Sequence, residues 1–327
     1  MLIAHSIDEF RRASAPDQRY AVTIGNFDGV HVGHRELVRV TREKGAAKSV
    51  PSLLVTFDPH PVFVVRGIAR PDLLTPLPRK LELLEQTGLD AVLVLPFTKS
   101  VADMSAESFV MDILVDLLHA SDLVTGYNFA LGKGRTGNYT TLCGLGKRHG
   151  FDLTQVQPVI VERETVSSSL VREYIRSGDV SKATPLLARM HSVDGHVVHG
   201  QARGRTLGFP TANIDFGNTL LPPLGAYATW LHVFPNTPEV GLSTIKPLTS
   251  MTSVGTNPTF GGGTVTLETH ALDFSGDLYG SLVRLYFLQR LRAEIKFKSV
   301  DDLIVRLHQD ADAARGALNR MSENTFL

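Results

Sequence analysis

A single cysteine, Cys143, stands in 327 residues, so no internal disulfide can staple the chain and a reducing compartment is expected. Cys143 reads as a small buried residue rather than a catalytic thiol. Charge of one sign is also missing: Lys and Arg total 33, and so do Asp and Glu. With no global field, neither nucleic acid nor an anionic membrane is an expected partner, and any phosphate must be held by local groups. Long apolar runs are absent too. The longest, around Ala91 to Phe97, is less than half of the roughly 20 residues a membrane helix requires. The opening MLIAHSIDEFRRAS has no signal-peptide core, and its two arginines follow the apolar residues instead of preceding them. A soluble cytoplasmic protein is expected. Two common site motifs are lacking as well, the GxxxxGK[ST] phosphate loop and the HExxH zinc pair.

The length suggests two domains of roughly 150 residues. In the first half, β-rich runs at Arg19–Gly25, Ser52–Phe57, Asp90–Leu95 and Asp122–Gly126 alternate with helix-period segments such as HRELVRVTREKG, PRKLELLEQTG and AESFVMDILVDLLHA. That alternation predicts an α/β domain with a parallel sheet covered on both faces, and ligands then bind beyond the carboxyl ends of the strands. From about Ser192 the pattern turns to alternating runs (GHVVHG, GAYATWLHV, TVTLETHAL, LVRLYFL) broken by Gly, Pro and Asn, until a helical tail from Ser299 to about Met321. This predicts an antiparallel barrel closed by one helix. The boundary is expected near Thr184–His191, giving domains 1–184 and 185–327.

Directly after the first of those runs comes GNFDGVHVGHREL, residues Gly25 to Leu37. Gly25, Gly29 and Gly33 permit a tight turn, and His31 and His34 fall at the start of a helix, where unpaired N–H groups and the dipole favour an anion such as a nucleotide phosphate. A zinc pair completed by His60 is the alternative, without the flanking pattern of a metalloprotease. Further on, Ser167–Ser169 precede a helix carrying Arg172; they are either an ordinary serine cap or a polyphosphate contact. Gly132, Gly134 and Gly137 spell GxGxxG, yet they follow the fourth strand-like run rather than opening a first βα unit, so a mobile loop near the ligand is expected rather than a dinucleotide fingerprint.

In the second half, GQARGRTLGFPTANI (Gly200–Ile214) combines a glycine-rich nest with Thr211 and Asn213, oxygen donors suited to Mg²⁺ beside phosphates. Alone, PTAN reads as a turn. In TVTLETHAL, Val265, Leu267 and Ala271 share one face, and Thr264, Thr266, Glu268 and His270 share the other. Glu268 is then either a solvated sheet carboxylate or a carboxylate facing a cleft; a kinase acting on a primary alcohol needs a group to take the hydroxyl proton.

These blocks together resemble the prokaryotic bifunctional riboflavin kinase/FAD synthetases: GNFDGVHVGH, TFDPHP, LLTPLPRKLELL, GYNFALGKGRTGN and SSSLVR match the nucleotidylyltransferase half, and FPTAN, SVGTNPTFGG, TVTLETHALDFSGDLYG and LRAEIKF match the kinase half from about Asp194 to Leu318. The resemblance implies a Rossmann-like nucleotidylyltransferase domain that adenylylates FMN to FAD, releasing pyrophosphate. It also implies a Greek-key kinase barrel that phosphorylates riboflavin to FMN. In the first, Gly25, Phe27, His31, Gly33, His34, Ser168 and Arg172 bind ATP, and Asn128 lies on the flavin side. In the second, Gly204, Thr211 and Asn213 hold Mg–ATP, Glu268 is the general base, and Arg292 lies on the flavin side. His31, His34 and Arg172 act on phosphate charge during attack at the α-phosphorus. Ser169 stands where the family commonly has Thr and Asn128 where many members have Asp, both keeping a hydrogen-bonding group.

Overall fold

The computed structural model describes residues 1–67, 72–200, 204, 207–234, 247–257 and 264–320. Residues 201–203 and 205–206 of the glycine-rich segment, 258–262 of SVGTNPTFGG and the end of the helical tail at Met321 lie outside them. By internal packing the chain divides into two units, Met1–Ser167 and Ser168–Leu327.

The first unit runs β1 (Leu2–Ala4), α1 (Ile7–Ala13), β2 (Tyr20–Ile24), α2 (Val32–Lys48), β3 (Ser52–Asp58), α3 (Pro61–Arg66), α4 (Leu77–Glu85), β4 (Ala91–Pro96), α5 (Lys99–Asp103) and α6 (Ala106–Phe109). A π-helical turn, Val110–Val115, continues α6; then come β5 (Ala120–Gly126), α7 (Tyr139–His149), β6 (Asp152–Val156) and a short hairpin of β7 (Ile160–Val161) and β8 (Glu164–Thr165). Strands β1 to β6 form one parallel sheet in the order β1-β4-β3-β2-β5-β6. Along β3, Leu53 and Val55 enter a layer with Phe10 and Phe109, while Leu54 enters the opposite layer with Val38 and Leu84. Burial on both faces is why these strands read as continuous apolar runs, each fully buried aliphatic side chain contributing about 1.5–3 kcal/mol. The chain leaves β2 toward β3 on one side, and β5 pairs on its other side, so the switch point of the sheet lies beside the carboxyl end of β2.

The second unit opens with α8 (Ser168–Ser177) and α9 (Val180–Leu187), followed by β9 (His191–Val198), β10 (Ala212–Asp215), β11 (Gly225–Val233), β12 (Leu248–Asn257), β13 (Thr264–Ala271), β14 (Leu282–Ala293) and α10 (Val300–Leu318). The six strands close into an antiparallel barrel in the order β10-β13-β12-β11-β14-β9, with β9 pairing back to β10. Closure removes the exposed sheet edges. Its interior holds Val193, Tyr227, Leu231, Leu267 and Phe287, with Val180 of α9 packed against them. A second layer lies outside the wall, where Ala311, Ala314 and Leu318 of α10 cover Trp230, Tyr286 and Leu288. Ser299 caps α10 by accepting the Asp302 N–H at 3.1 Å. No helix among the described residues is long and apolar enough to cross a membrane.

Candidate active sites

The turn after β2 is shaped by the side chains its glycines make room for. A Cβ on Gly25 would lie 3.2 Å from the Phe27 ring, and one on Gly33 would lie 3.2 Å from the His31 ring. His31 is buried, and its Nδ1 accepts the His34 backbone N–H at 3.2 Å, making it the N-cap of α2. An Nδ1 that accepts carries no proton, so in the neutral ring the proton is on Nε2, which makes that nitrogen a donor. The rings of His31 and His34 stack at 3.6 Å with 15° between planes, and Phe27 packs on His34 at 5.0 Å. Two imidazoles are thus held together at the positive end of a 17-residue helix, a setting that favours a polyanion.

Behind this turn lies a brace. Asp28 is buried and accepts the backbone N–H groups of Leu74 at 3.1 Å and Thr75 at 2.9 Å, and the Gly29 N–H donates to the Thr75 hydroxyl at 2.9 Å. Lys80, 4% exposed, donates to the Thr56 hydroxyl at 3.2 Å, which donates in turn to the Asn26 carbonyl at 3.2 Å. Burial pushes the Lys80 ammonium below the usual lysine range, opposed by the carboxylates of Asp28 and Asp58. The NFDG and LLTPLPRK segments carry Asp28, Thr75 and Lys80, but nothing in their spacing pairs two loops about 46 residues apart.

A cavity of about 920 Å³ opens beside Gly25. Phe57, Phe97, Phe109 and Phe129 give it apolar walls, and Asn128 with the 130–135 segment forms its polar side. Such a lining can take a ligand with an aromatic body and a polar edge. The GxGxxG segment is tied down: the Lys133 N–H donates to the Met104 carbonyl at 2.8 Å, Leu131 bridges Gly137, and a Cβ on Gly132 would fall 2.5 Å from the Ala106 nitrogen. The glycines there serve close packing and positive φ, not a dinucleotide turn. Ser168 opens α8, and Arg172, one turn on, donates from Nη1 to the Ser168 carbonyl at 3.3 Å; both belong to the second packed unit.

On the barrel, β10 and β13 bring together residues about 55 positions apart in sequence. Asn213 pairs with Glu268 in register, and the Thr211 hydroxyl donates to Glu268 Oε2 at 3.3 Å. Gly200 and Gly204 crowd the same spot: a Cβ on Gly200 would lie 2.0 Å from Asn213 Nδ2, and one on Gly204 would lie 2.2 Å from the Phe209 carbonyl and 3.4 Å from Thr211 Oγ1. A hydroxyl, a carboxamide and a carboxylate converge here, a hard-oxygen donor set of the kind that binds Mg²⁺. Among the described residues no cluster of three His, Cys, Asp or Glu side chains is arranged to hold a metal. A cavity of about 290 Å³ adjoins Thr211 and is lined by Phe274, Leu278 and Tyr279. Arg292 lies on the seam with α10, where its Nε donates to the buried Asp310 at 2.8 Å.

A doubly covered parallel sheet with a glycine- and histidine-bearing turn at its switch point is joined in one chain to a closed barrel bearing a cluster of oxygen donors, and the class this fits is a two-domain transferase. Residues 13–170 match the family model described as FAD synthetase, and residues 187–318 match that described as riboflavin kinase. The chain belongs to the bifunctional riboflavin kinase/FMN adenylyltransferase family. The protein of that name from Escherichia coli (strain K12) is 35% identical over 303 residues, covering 93% of this chain and 94% of the relative. The one from Listeria monocytogenes serovar 1/2a is 33% identical over 310 residues, covering 94% and 95%. A crystal structure of a macrolide-efflux protein from Streptococcus pneumoniae superposes with a TM-score of 0.83 at 28% identity, covering 96% of this chain and 99% of that one.

Proposed function

We propose that this chain makes both flavin cofactors, phosphorylating riboflavin to FMN on the barrel and adenylylating FMN to FAD in the α/β unit. The convergence of Thr211, Asn213 and Glu268 on adjacent strands carries the reading, because a mere binding module has no need of a carboxylate beside a cation-type donor set.

In the kinase reaction, Glu268 accepts the proton of the riboflavin 5′-hydroxyl as that oxygen bonds to the γ-phosphorus and the bond to ADP breaks. The Thr211 O–H points at Glu268, which leaves the lone pairs of its oxygen for a cation, and Asn213 offers its carbonyl oxygen to the same ion. Thr211 and Asn213 would hold Mg²⁺ there, and the ion would supply positive charge beside the transferring phosphoryl group. Gly204 lets the backbone approach the phosphates, and Arg292 is assigned to the flavin side.

In the adenylyl transfer, an FMN phosphate oxygen bonds to the α-phosphorus of ATP and pyrophosphate leaves, with no covalent enzyme intermediate. Nε2–H of His31 donates to phosphate oxygens, and His34 shares this role. Gly25, Phe27 and Gly33 shape the turn that receives ATP, and Asn128 faces the flavin. Ser168 and Arg172 are assigned to the β- and γ-phosphates on the family resemblance.

Purified protein incubated with riboflavin, ATP and Mg²⁺ is expected to yield FMN and then FAD on chromatography. Accumulation of FMN alone means that only the kinase half works, and no conversion at all overturns the reading.

A further inference from the structure

The segment that carries Thr211 and Asn213 is held by more than its own strand. Phe209 is buried in the layer between barrel and α10, its ring edge-on to His270 at 5.3 Å and to His308 at 4.9 Å. Pro210 follows, and having no N–H it offers only its carbonyl as a backbone tie. That carbonyl is met by His270 Nδ1 at 2.7 Å. A carbonyl oxygen cannot donate, so His270 carries its proton on Nδ1, and the bond persists in both the neutral and the protonated ring. His270 lies two residues beyond Glu268 on β13, on the same face by strand periodicity. Thr269 between them is buried and accepts from the Thr252 hydroxyl at 2.9 Å, which anchors the strand to β12. One rigid strand therefore presents both the carboxylate and the group that pins the segment opposite it.

We propose that His270 is a positioning residue of the kinase site, fixing the Pro210–Asn213 segment against Glu268 through its hydrogen bond to the Pro210 carbonyl. It touches neither substrate nor cation. Its work is to hold Thr211 at the distance where one hydroxyl serves both Glu268 and the ion. This inference rests on the assignment of Thr211 and Glu268 to the kinase chemistry.

The test uses the full-length protein with His270→Ala, His270→Asn and His270→Gln, measuring kcat and KM for riboflavin phosphorylation. Two controls accompany it: FAD formation from supplied FMN, and emission of the single tryptophan, Trp230, which lies in the layer under α10. His270→Ala is expected to lower kcat by about 10- to 100-fold, the scale of a small misplacement of reacting groups, with a smaller change in KM. His270→Asn, whose amide N–H reaches the place of Nδ1, recovers most of the loss, and His270→Gln, whose amide reaches the place of Nε2, does not. Equal rates for Asn and Gln variants overturn the proposal, as does an undiminished kcat in His270→Ala. If His270→Ala unfolds the barrel, the Asn and Gln pair still decides. Glu268→Gln in the same assay separates the two levels. Wild-type phosphorylation there sinks the base assignment, whereas its loss beside a fully active His270→Ala sinks the positioning role alone.

Discussion

At the residue scale, His31 combines an observed cap with a proposed phosphate contact, and alanine scanning merges the two. It caps α2 through Nδ1 and is assigned to phosphate through Nε2. His31→Ala is expected to cost about 1 kcal/mol of stability from the lost cap and about 10²-fold in FAD formation from the lost charge-stabilising donor. His31→Asn separates the two effects, since asparagine is a strong N-cap and lacks the second ring nitrogen. Its thermal midpoint should stay near that of the parent while FAD formation remains low. Full recovery of FAD formation in His31→Asn would reduce His31 to a structural cap. The His31/His34 pair was legible in the sequence because glycines and a helix start flank it. The cap was not, because histidine is outside the usual cap residues and only coordinates reveal which nitrogen accepts. His270 was visible as a face-mate of Glu268, but its partner Pro210 is 60 residues away, across a pairing that strand patterns alone do not assign.

Elements were legible in proportion to their burial. The expected strands at 19–25, 52–57, 90–95 and 122–126 correspond to β2, β3, β4 and β5, with ends shifted by one or two residues. The terminal strands β1 and β6 were not picked out. The first is three residues long, and the second, DLTQV, sits half-exposed at the sheet edge and lacks an apolar signature. The expected helix at AESFVMDILVDLLHA is present as α6 and the π-helical turn that continues it. In the barrel, the polar residues Thr229, Ser250, Thr252 and Thr269 are all buried, and the hydroxyls of Thr229, Ser250 and Thr252 satisfy one another at 2.7 Å. Helix α10 is bound to the barrel by an apolar stripe and by Asp310, 2% exposed, which accepts from Arg292 at 2.8 Å and from Arg306 at 3.1 Å. Removing that carboxylate leaves Arg292 largely buried without its counter-charge, so Asp310→Ala is expected to destabilise the barrel by about 3 kcal/mol. Denaturant unfolding followed by Trp230 emission reads this directly. An unchanged midpoint would mean that the apolar stripe alone holds the helix.

At the scale of the whole molecule, the change from βα alternation to short alternating strands told of two domains before any coordinates, and the family matches at 13–170 and 187–318 fall one in each half. The expected boundary near Thr184–His191 remains a proposal with its own consequence: residues 1–184 alone should fold and convert FMN to FAD. A fragment that folds yet fails to bind ATP would move the boundary. The two chemistries occupy different sites in this proposal, and the product pattern of Glu268→Ala separates them. Supplied with riboflavin and ATP, this variant should form FMN about 10²- to 10⁴-fold more slowly than the parent, as loss of a general base predicts. Supplied with FMN and ATP, it should form FAD at close to the parental rate. Equal loss of both activities in a folded variant, or undiminished phosphorylation of riboflavin, would contradict the account.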